Sequence, residues 1–158
     1  MKSAAPHDEL DRHVRERLAK LDADAVAGPD EAELLTLFDA MAGSRLVDIH
    51  ARRLREQGQG YYTIGSAGHE SNALVAAALR PTDPALLHYR SGAFFIARAM
   101  QTGRTLEDGI TAILLGMFAS VEDAASGGRH KVFGDAELAV IPQTSTIASH
   151  LPRALGVA

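Results

Sequence analysis

The sequence predicts an α/β fold in which several helices precede the start of a parallel sheet. Apolar residues recur at three- and four-residue spacings over long segments, as in helices that bury one face. One short apolar run, residues 85 to 89, follows a predicted helix and has the length of a buried strand. Glycine-containing loops separate these segments, and loops at the ends of strands in α/β proteins commonly hold ligands.

The N-terminal region is predicted to be separate from the main domain. Residues 8 to 21 place leucine and valine on one helical face with charges between them, which predicts a short amphipathic helix. Small, turn-forming residues follow, so we assign residues 1–28 to a helical extension and linker. The main domain, residues 29–158, opens with a long helix, because Asp30 and Glu33 have the spacing of a capping box.

The remaining elements follow from breaking and capping residues. The long helix should end near Gly58, where a glycine-rich loop begins. The next helix, in "ESNALVAAALR", should stop before Pro81, because proline disfavours helical geometry in the residue before it. After the strand at residues 85 to 89, we predict one helix from Gly92, one capped by Thr105 and, past a long polar loop, a last helix in "TSTIASHLPRALGVA".

Composition excludes several classes of protein. There are 16 Lys plus Arg against 20 Asp plus Glu, a formal net charge of -4, so we expect no general attraction to nucleic acid or to an acidic membrane. The absence of cysteine excludes disulfides and thiolate metal sites. The charged N-terminus does not fit a signal peptide, and no apolar run approaches the roughly 20 residues of a membrane span. We expect a cytoplasmic protein.

Common catalytic motifs are incomplete in this chain. His69 and Glu70 resemble the start of a zinc-protease helix, but Ala73 stands where the second histidine is needed. A complete dinucleotide fingerprint and a Walker sequence are both missing. A small hydrolase that uses Ser66 or Ser145 with one of the histidines stays open as an alternative, although neither serine has a nucleophile motif.

A Tyr-Arg pair, Tyr89 and Arg90, follows the predicted strand. A guanidinium group is a permanently charged fork of donors, and the phenol adds another donor, so a phosphate group would suit the pair. The alternative is a packed ring beside a solvated or ion-paired cation.

Four segments, in this order, carry a resemblance to a known family. They are "GYYTIGSAGHESN", "ALRPTDPALLHYRSGAFFIAR", "SGGRHKVFG" and "IPQTSTIASHLPRALGVA". From about residue 35 to residue 158, the chain resembles the alpha subunit of the thiamine-diphosphate-dependent decarboxylating component of 2-oxo acid dehydrogenase complexes. The branched-chain type is more similar than the pyruvate type. The resemblance implies the N-terminal part of a thiamine-diphosphate-binding fold, truncated before the sheet is complete.

The resemblance implies a cofactor-binding role for four residues. Tyr89 and Arg90 match the family's contacts to the cofactor diphosphate. Ser145, Thr146 and Ile147 match its Ser-Pro-Leu sequence, which lies against the aminopyrimidine ring. Thr146 departs from the usual proline, whereas Ile147 keeps an apolar side chain and a backbone carbonyl. The implied cofactor contacts are therefore Tyr89, Arg90, Ser145 and Ile147.

Two histidines are implied to contact substrate. His88 corresponds to a position that faces the substrate pocket, and His130 lies in the family's loop near the active-site entrance, where it would contact substrate or the diphosphate. The alternative for His130 is a solvated loop histidine. The glutamate that activates the aminopyrimidine belongs to the beta subunit, so Glu70 is not that residue and no catalytic residue is assigned to this chain.

The resemblance also implies missing parts and partners. The family binds magnesium through a Gly-Asp-Gly motif and a following Asn, which would begin shortly after Ala158 and is absent from this chain. The implied partners are a beta subunit or fused beta domain and a lipoyl-bearing acyltransferase, in an alpha2beta2 assembly. The implied reaction is oxidative decarboxylation of a branched-chain 2-oxo acid with acyl transfer to lipoamide. The alternative is a non-catalytic remnant that serves as a subunit-interaction module.

Overall fold

The computed structural model describes residues 28–61 and 65–158, together with residues 12, 16, 19 and 20. The chain divides into two compact units, Met1–Glu31 and Ala32–Ala158. In the first unit, the side chains of Arg12 and Glu16 form an ion pair of 3.0 Å at the i,i+4 spacing of a helix. The rest of the helix predicted for residues 8 to 21 lies outside the described residues, and the predicted domain boundary stays a prediction.

The described part of the chain is mostly helical. Its helices are α1 (Glu31–Glu56), α2 (Asn72–Ala77), α3 (Gly92–Gln101), α4 (Leu106–Met117) and α5 (His150–Val157). Each helix predicted after residue 28 is therefore confirmed, although α2 is shorter than its apolar segment suggested. Within the described ranges, no helix is long and apolar enough to cross a membrane.

The predicted start of a parallel sheet is not confirmed. Residues 28–61 and 65–158 contain no strand, and Ala85 forms only an isolated parallel bridge with Val140. Two backbone hydrogen bonds of 2.9 Å hold this bridge. Further along, the carbonyl of Leu87 accepts a hydrogen bond of 3.2 Å from the side-chain amide of Gln143. A side-chain hydrogen bond therefore replaces the next backbone hydrogen bond that a pair of parallel strands would form.

Helix α3 forms the centre of the core. Its residues from Gly92 to Ala99 are all buried, and it packs against α2 and α4. The close approach to α4 depends on Gly109, because an added Cβ there would lie 3.3 Å from the Cα of Ile96. The rings of Phe95 and Phe133 stack with centroids 5.2 Å apart. This packing fixes the N-terminus of α3, which lies next to the predicted Tyr-Arg pair.

Helix α4 begins with the cap that the sequence predicts. The Thr105 hydroxyl accepts a hydrogen bond of 3.1 Å from the backbone N–H of Asp108, whose carboxylate accepts one of 2.9 Å from the N–H of Thr105. These bonds lower the pKa of Asp108. In contrast, Ser149 precedes α5 without a side-chain cap bond.

Candidate functional site

Tyr89 and Arg90 lie in a turn directly before α3. The backbone N–H of Ser91 donates to the carbonyl of His88 at 2.8 Å, and the N–H of Arg90 donates to Nδ1 of His88 at 3.3 Å. His88, Tyr89 and Arg90 are all half-buried. The turn therefore presents three adjacent polar side chains at the edge of the core, beside the N-terminus of a buried helix.

The guanidinium group of Arg90 holds the glycine-containing loop that follows residue 64. Its Nε donates to the carbonyl of Gly65 at 3.0 Å, and its Nη2 donates to the carbonyl of Ala67 at 2.5 Å. Two nitrogens of one rigid group therefore fix two backbone carbonyls of this loop at once. Neither bond uses the third nitrogen, Nη1.

Close packing against α1 and α3 fixes the same loop from its other side. The hydroxyl of Ser66 accepts a hydrogen bond of 3.0 Å from the backbone N–H of Gly92, the first residue of α3. A Cβ added at Gly65 would collide with the carboxylate of Asp48 on α1. A Cβ added at Gly92 would lie 2.6 Å from the Ser66 hydroxyl. Both positions therefore require glycine because neighbouring side chains leave no room for a Cβ, and not because the backbone has a positive φ.

A buried lysine connects the turn to the polar loop. Lys131 is 4% exposed, and its Nζ donates to the carbonyl of Tyr89 at 3.3 Å. Burial lowers the pKa of the Lys131 ammonium group to about 8, while the carboxylate of Asp48 acts in the opposite direction. Lys131 is not among the site residues predicted from the sequence. The signal was present in "HKVF", where Lys131 and Phe133 alternate with more exposed neighbours and both point inwards.

His130 and Ser145 come together although they lie far apart in the sequence. The Ser145 hydroxyl lies 2.8 Å from Nε2 of His130, and both residues are half-buried. The backbone N–H of His130 donates to the hydroxyl of Ser126 at 3.1 Å, which fixes the loop that carries the ring. A serine nucleophile would also need a group that orients the histidine base. The described residues supply no carboxylate bonded to this ring, so the pair does not favour the hydrolase alternative.

Three basic residues lie close to His88: His69, His150 and Arg90. Its ring contacts the ring of Tyr89 with centroids 3.8 Å apart and stacks on that of His69 at 6.4 Å. Burial lowers the pKa of His88, and electrostatic interactions with His69, His150 and Arg90 lower it further. The imidazole of His88 is therefore neutral near neutral pH. Because its Nδ1 accepts from the N–H of Arg90, its Nε2 carries the proton and can donate a hydrogen bond.

The predicted site residues are thus only partly brought together. Contacts join His88, Tyr89 and Arg90 within one turn, and His130 and Ser145 to each other, with Lys131 between the two groups. In contrast, Ile147 lies on a surface turn and is 78% exposed. Glu70 caps a local turn by accepting from the N–H of Gly68 at 2.9 Å, and it forms an ion pair with Arg45 at 2.5 Å.

Comparison of the chain with protein-family models and with curated proteins gave no match.

Proposed function

We propose that this chain supplies part of a thiamine-diphosphate site in an enzyme that oxidatively decarboxylates a 2-oxo acid, with the branched-chain type preferred. One observation carries the proposal: the segments that carry the family resemblance converge in space. Arg90 binds the loop at Gly65, and Lys131 binds the carbonyl of Tyr89. His130, next to Lys131, lies against Ser145. Convergence of four distant segments is what a common ligand site requires.

The chemistry of these groups fits a diphosphate. Tyr89 offers a hydroxyl donor, Arg90 a permanent positive charge, and Lys131 a second cationic group directly behind the turn. Helix α3 begins two residues after Arg90, and its dipole adds positive potential at that end. The net charge of -4 gives the whole chain no attraction for anions, so binding would depend on this local cluster.

The proposal assigns positioning rather than catalysis to this chain. When bound, the thiazolium ring of the cofactor supplies the electron sink for loss of carbon dioxide from a 2-oxo acid. Arg90 and Tyr89 would hold the diphosphate end, Ser145 and Ile147 would contact the aminopyrimidine end, and His88 and His130 would face the substrate.

The described residues give less support for magnesium binding than for diphosphate binding. They contain no group of three or more His, Asp or Glu side chains that could hold a metal ion, so no role is derived for the metal here. The proposal includes a beta subunit or fused beta domain, a lipoyl-bearing acyltransferase and an alpha2beta2 assembly. It also includes a cytoplasmic location, which fits the absence of cysteine.

Isothermal titration of the chain with thiamine diphosphate and with thiamine tests the proposal. Magnesium chloride is present throughout, and the two ligands differ only in the diphosphate. We expect thiamine diphosphate to bind the more tightly, and Tyr89→Phe to reduce that preference by about tenfold, because one hydrogen bond to a charged group is lost.

Tyr61→Phe is the matched control. Tyr61 is 76% exposed, so loss of its hydroxyl should leave both affinities unchanged. Equal binding of thiamine and thiamine diphosphate to the unmodified chain would contradict the proposal.

The second candidate is a non-catalytic subunit-interaction module. The exposed apolar residues at the end of the chain favour it: Ile147, Leu151, Leu155 and Val157. Helix α5 has no buried residue, so its apolar side chains contribute nothing to the core. If neither ligand binds at any concentration, this second candidate is preferred.

A further inference from the structure

Helix α1 carries apolar residues on both of its faces. One face is buried in the core and includes Leu37, Ala40, Val47 and Ala51. On the opposite side, large apolar side chains are 39–64% exposed: Leu34, Leu35, Phe38, Leu46 and Ile49. We call these five residues, together with Ala42, the outer stripe. A helix that is apolar on two faces needs a second packing partner.

The order of residues in the outer stripe is nearly symmetric about Ala42. Phe38 and Leu46 each lie four residues from Ala42, and Leu35 and Ile49 each lie seven residues from it. These spacings of three and four residues place all of them along one line of the helix. If two copies of α1 pair in antiparallel orientation with Ala42 at the crossing point, Phe38 faces Leu46 of the second copy, and Leu35 faces its Ile49. The small Ala42 allows the two backbones to approach closely.

The charges flanking the outer stripe obey the same symmetry. Asp39 and Arg45 each lie three residues from Ala42, so Asp39 of one copy faces Arg45 of the other, whose guanidinium group also forms the ion pair with Glu70 of its own chain. Glu31 and Arg53 each lie eleven residues from Ala42 and form a second complementary pair. All four side chains are exposed. An antiparallel pair of helices would therefore have opposite charges facing each other at both distances, whereas a parallel pair would place like charges together.

A groove beside the outer stripe matches the same arrangement. It lies between α1 and α4, has a volume of about 540 Å³ and is lined mainly by apolar side chains, including Leu46, Ile110 and Phe118. In the antiparallel pair, Phe38 of the second copy lies level with Leu46, at the mouth of this groove. Leu34 of the second copy lies level with His50, another lining residue. The groove and the exposed side chains are therefore complementary surfaces of one chain.

We propose that two copies of this chain form a dimer by antiparallel pairing of α1 about a two-fold axis at Ala42. The interface is isologous, because every contact between the copies occurs twice. It accounts for all five large apolar residues of the outer stripe, for the sign of the flanking charges and for the groove. The interface uses none of the residues assigned to the candidate site.

Cysteine cross-linking tests the axis directly, since the chain contains no cysteine of its own. Ala42→Cys places two thiols at the proposed axis, and we expect rapid formation of a disulfide-linked dimer under mild oxidation. Thr36→Cys is the matched control, because Thr36 is exposed on the same helix but lies off the outer stripe. Equal cross-linking of both variants, or none at Ala42, would overturn the proposal.

Mixed cysteine variants test the antiparallel orientation. Phe38→Cys mixed with Leu46→Cys should give a heterodimeric disulfide, while each variant alone should not. In the proposed pair, the two Phe38 positions are about 12 Å apart along the axis. Efficient linkage of Phe38→Cys to itself would indicate a parallel pair and would overturn the proposed geometry.

Sedimentation velocity over a wide range of protein concentration provides an independent test without cross-linking. The unmodified chain should shift from monomer to dimer as its concentration rises, and Phe38→Glu should remain monomeric, because it buries a charge at the interface. Val121→Glu is the control: Val121 is 87% exposed in a loop, and this variant should behave as the unmodified chain does. The proposal would be overturned if the unmodified chain stays monomeric at every concentration. Another segment would then cover the outer stripe.

Discussion

Arg98 and Arg90 both donate hydrogen bonds to backbone carbonyls, but they do so in different regions of the molecule. Arg98 lies on α3 and is completely buried, and its Nη1 donates to the carbonyls of Pro81, Asp83 and Leu138 at 2.9, 3.0 and 3.2 Å. Arg90 lies in a half-buried turn and holds one loop next to the candidate site. One arginine joins distant parts of the core, and the other shapes a local surface.

The two arginines show that a hydrogen bond from a guanidinium group to a backbone carbonyl can stabilise either the core or a surface loop. Around Arg98, burial lowers the pKa of the guanidinium group, which lies over the ring of Phe94, and its Nε and Nη2 have no hydrogen-bond partner among the described residues. Its carbonyl bonds therefore offset a considerable desolvation cost. Around Arg90, partial exposure to solvent reduces the desolvation cost and also the stabilisation that the hydrogen bonds provide. We expect changes at Arg98 to affect the whole fold and changes at Arg90 to affect only the loop.

Arg98→Met should have the largest effect. The variant keeps an apolar side chain of similar length but leaves buried carbonyls without their donor, and each such acceptor costs about 1–3 kcal/mol. Loss of the two unpartnered nitrogens offsets part of this cost, so we expect the free energy of unfolding to fall by about 3 kcal/mol. Urea unfolding followed by circular dichroism measures it.

Arg80→Ala is the control for that experiment. Arg80 forms an exposed ion pair of 2.7 Å with Asp83, the same residue whose carbonyl accepts from Arg98. Solvent screens this pair, so its loss should leave the urea midpoint unchanged. Equal effects of the two substitutions would show that the buried bonds of Arg98 do not distinguish the core from the surface.

Lys131→Met should have an effect that depends on pH. The folded protein lowers the pKa of Lys131 from 10.5 to about 8, so between these values the unfolded chain binds more protons than the folded one. Stability contributed by Lys131 should therefore rise as the pH increases from about 8 to 10.5, by roughly 3 kcal/mol in all. Lys131→Met should lose this rise, as measured by urea unfolding at several pH values.

Lys20→Met controls for the general effect of losing a lysine. Lys20 is exposed, and this variant should keep the pH profile of the unmodified protein. If Lys131→Met retains the rise as well, other groups are responsible, and the polar loop is not coupled to the turn through a buried ammonium group.

Arg90→Lys should have the smallest and most local effect. Lysine keeps the charge but cannot direct two rigid donors at Gly65 and Ala67, so we expect a loss of about 1 kcal/mol. Hydrogen exchange monitored by mass spectrometry should become faster in residues 65 to 71 and stay unchanged in α3. Faster exchange throughout α3 would contradict the distinction between the two arginines.

Helices in this protein could be predicted from local signals, but the strand predicted at residues 85 to 89 does not form. The capping box of Thr105 and the apolar periodicity of α1 act within one segment and were sufficient. The apolar run at residues 85 to 89 also has the length of a strand, yet a strand needs a hydrogen-bonded partner along that whole length. Beyond Ala85, the chain offers a side-chain bond from Gln143 instead of a ladder, and no local pattern reveals that.

The candidate site shows the same limit. The Tyr-Arg turn could be located from its position after an apolar run, but the partners of Arg90 could not, because Gly65 lies 25 residues away in the sequence. Lys131 was missed because a lysine in a polar loop is usually solvated, and only tertiary packing buries it. The proposed roles of Ser145 and Ile147 rest on family resemblance and stay predictions.

The contact between His88 and Tyr89 also gives the molecule a natural optical reporter. The chain has three tyrosines and no tryptophan, so its near-ultraviolet emission comes from tyrosine alone. The Tyr89 ring lies 3.8 Å from an imidazole whose charge changes with pH. Protonation of His88 can therefore be followed by intrinsic fluorescence, without an attached dye.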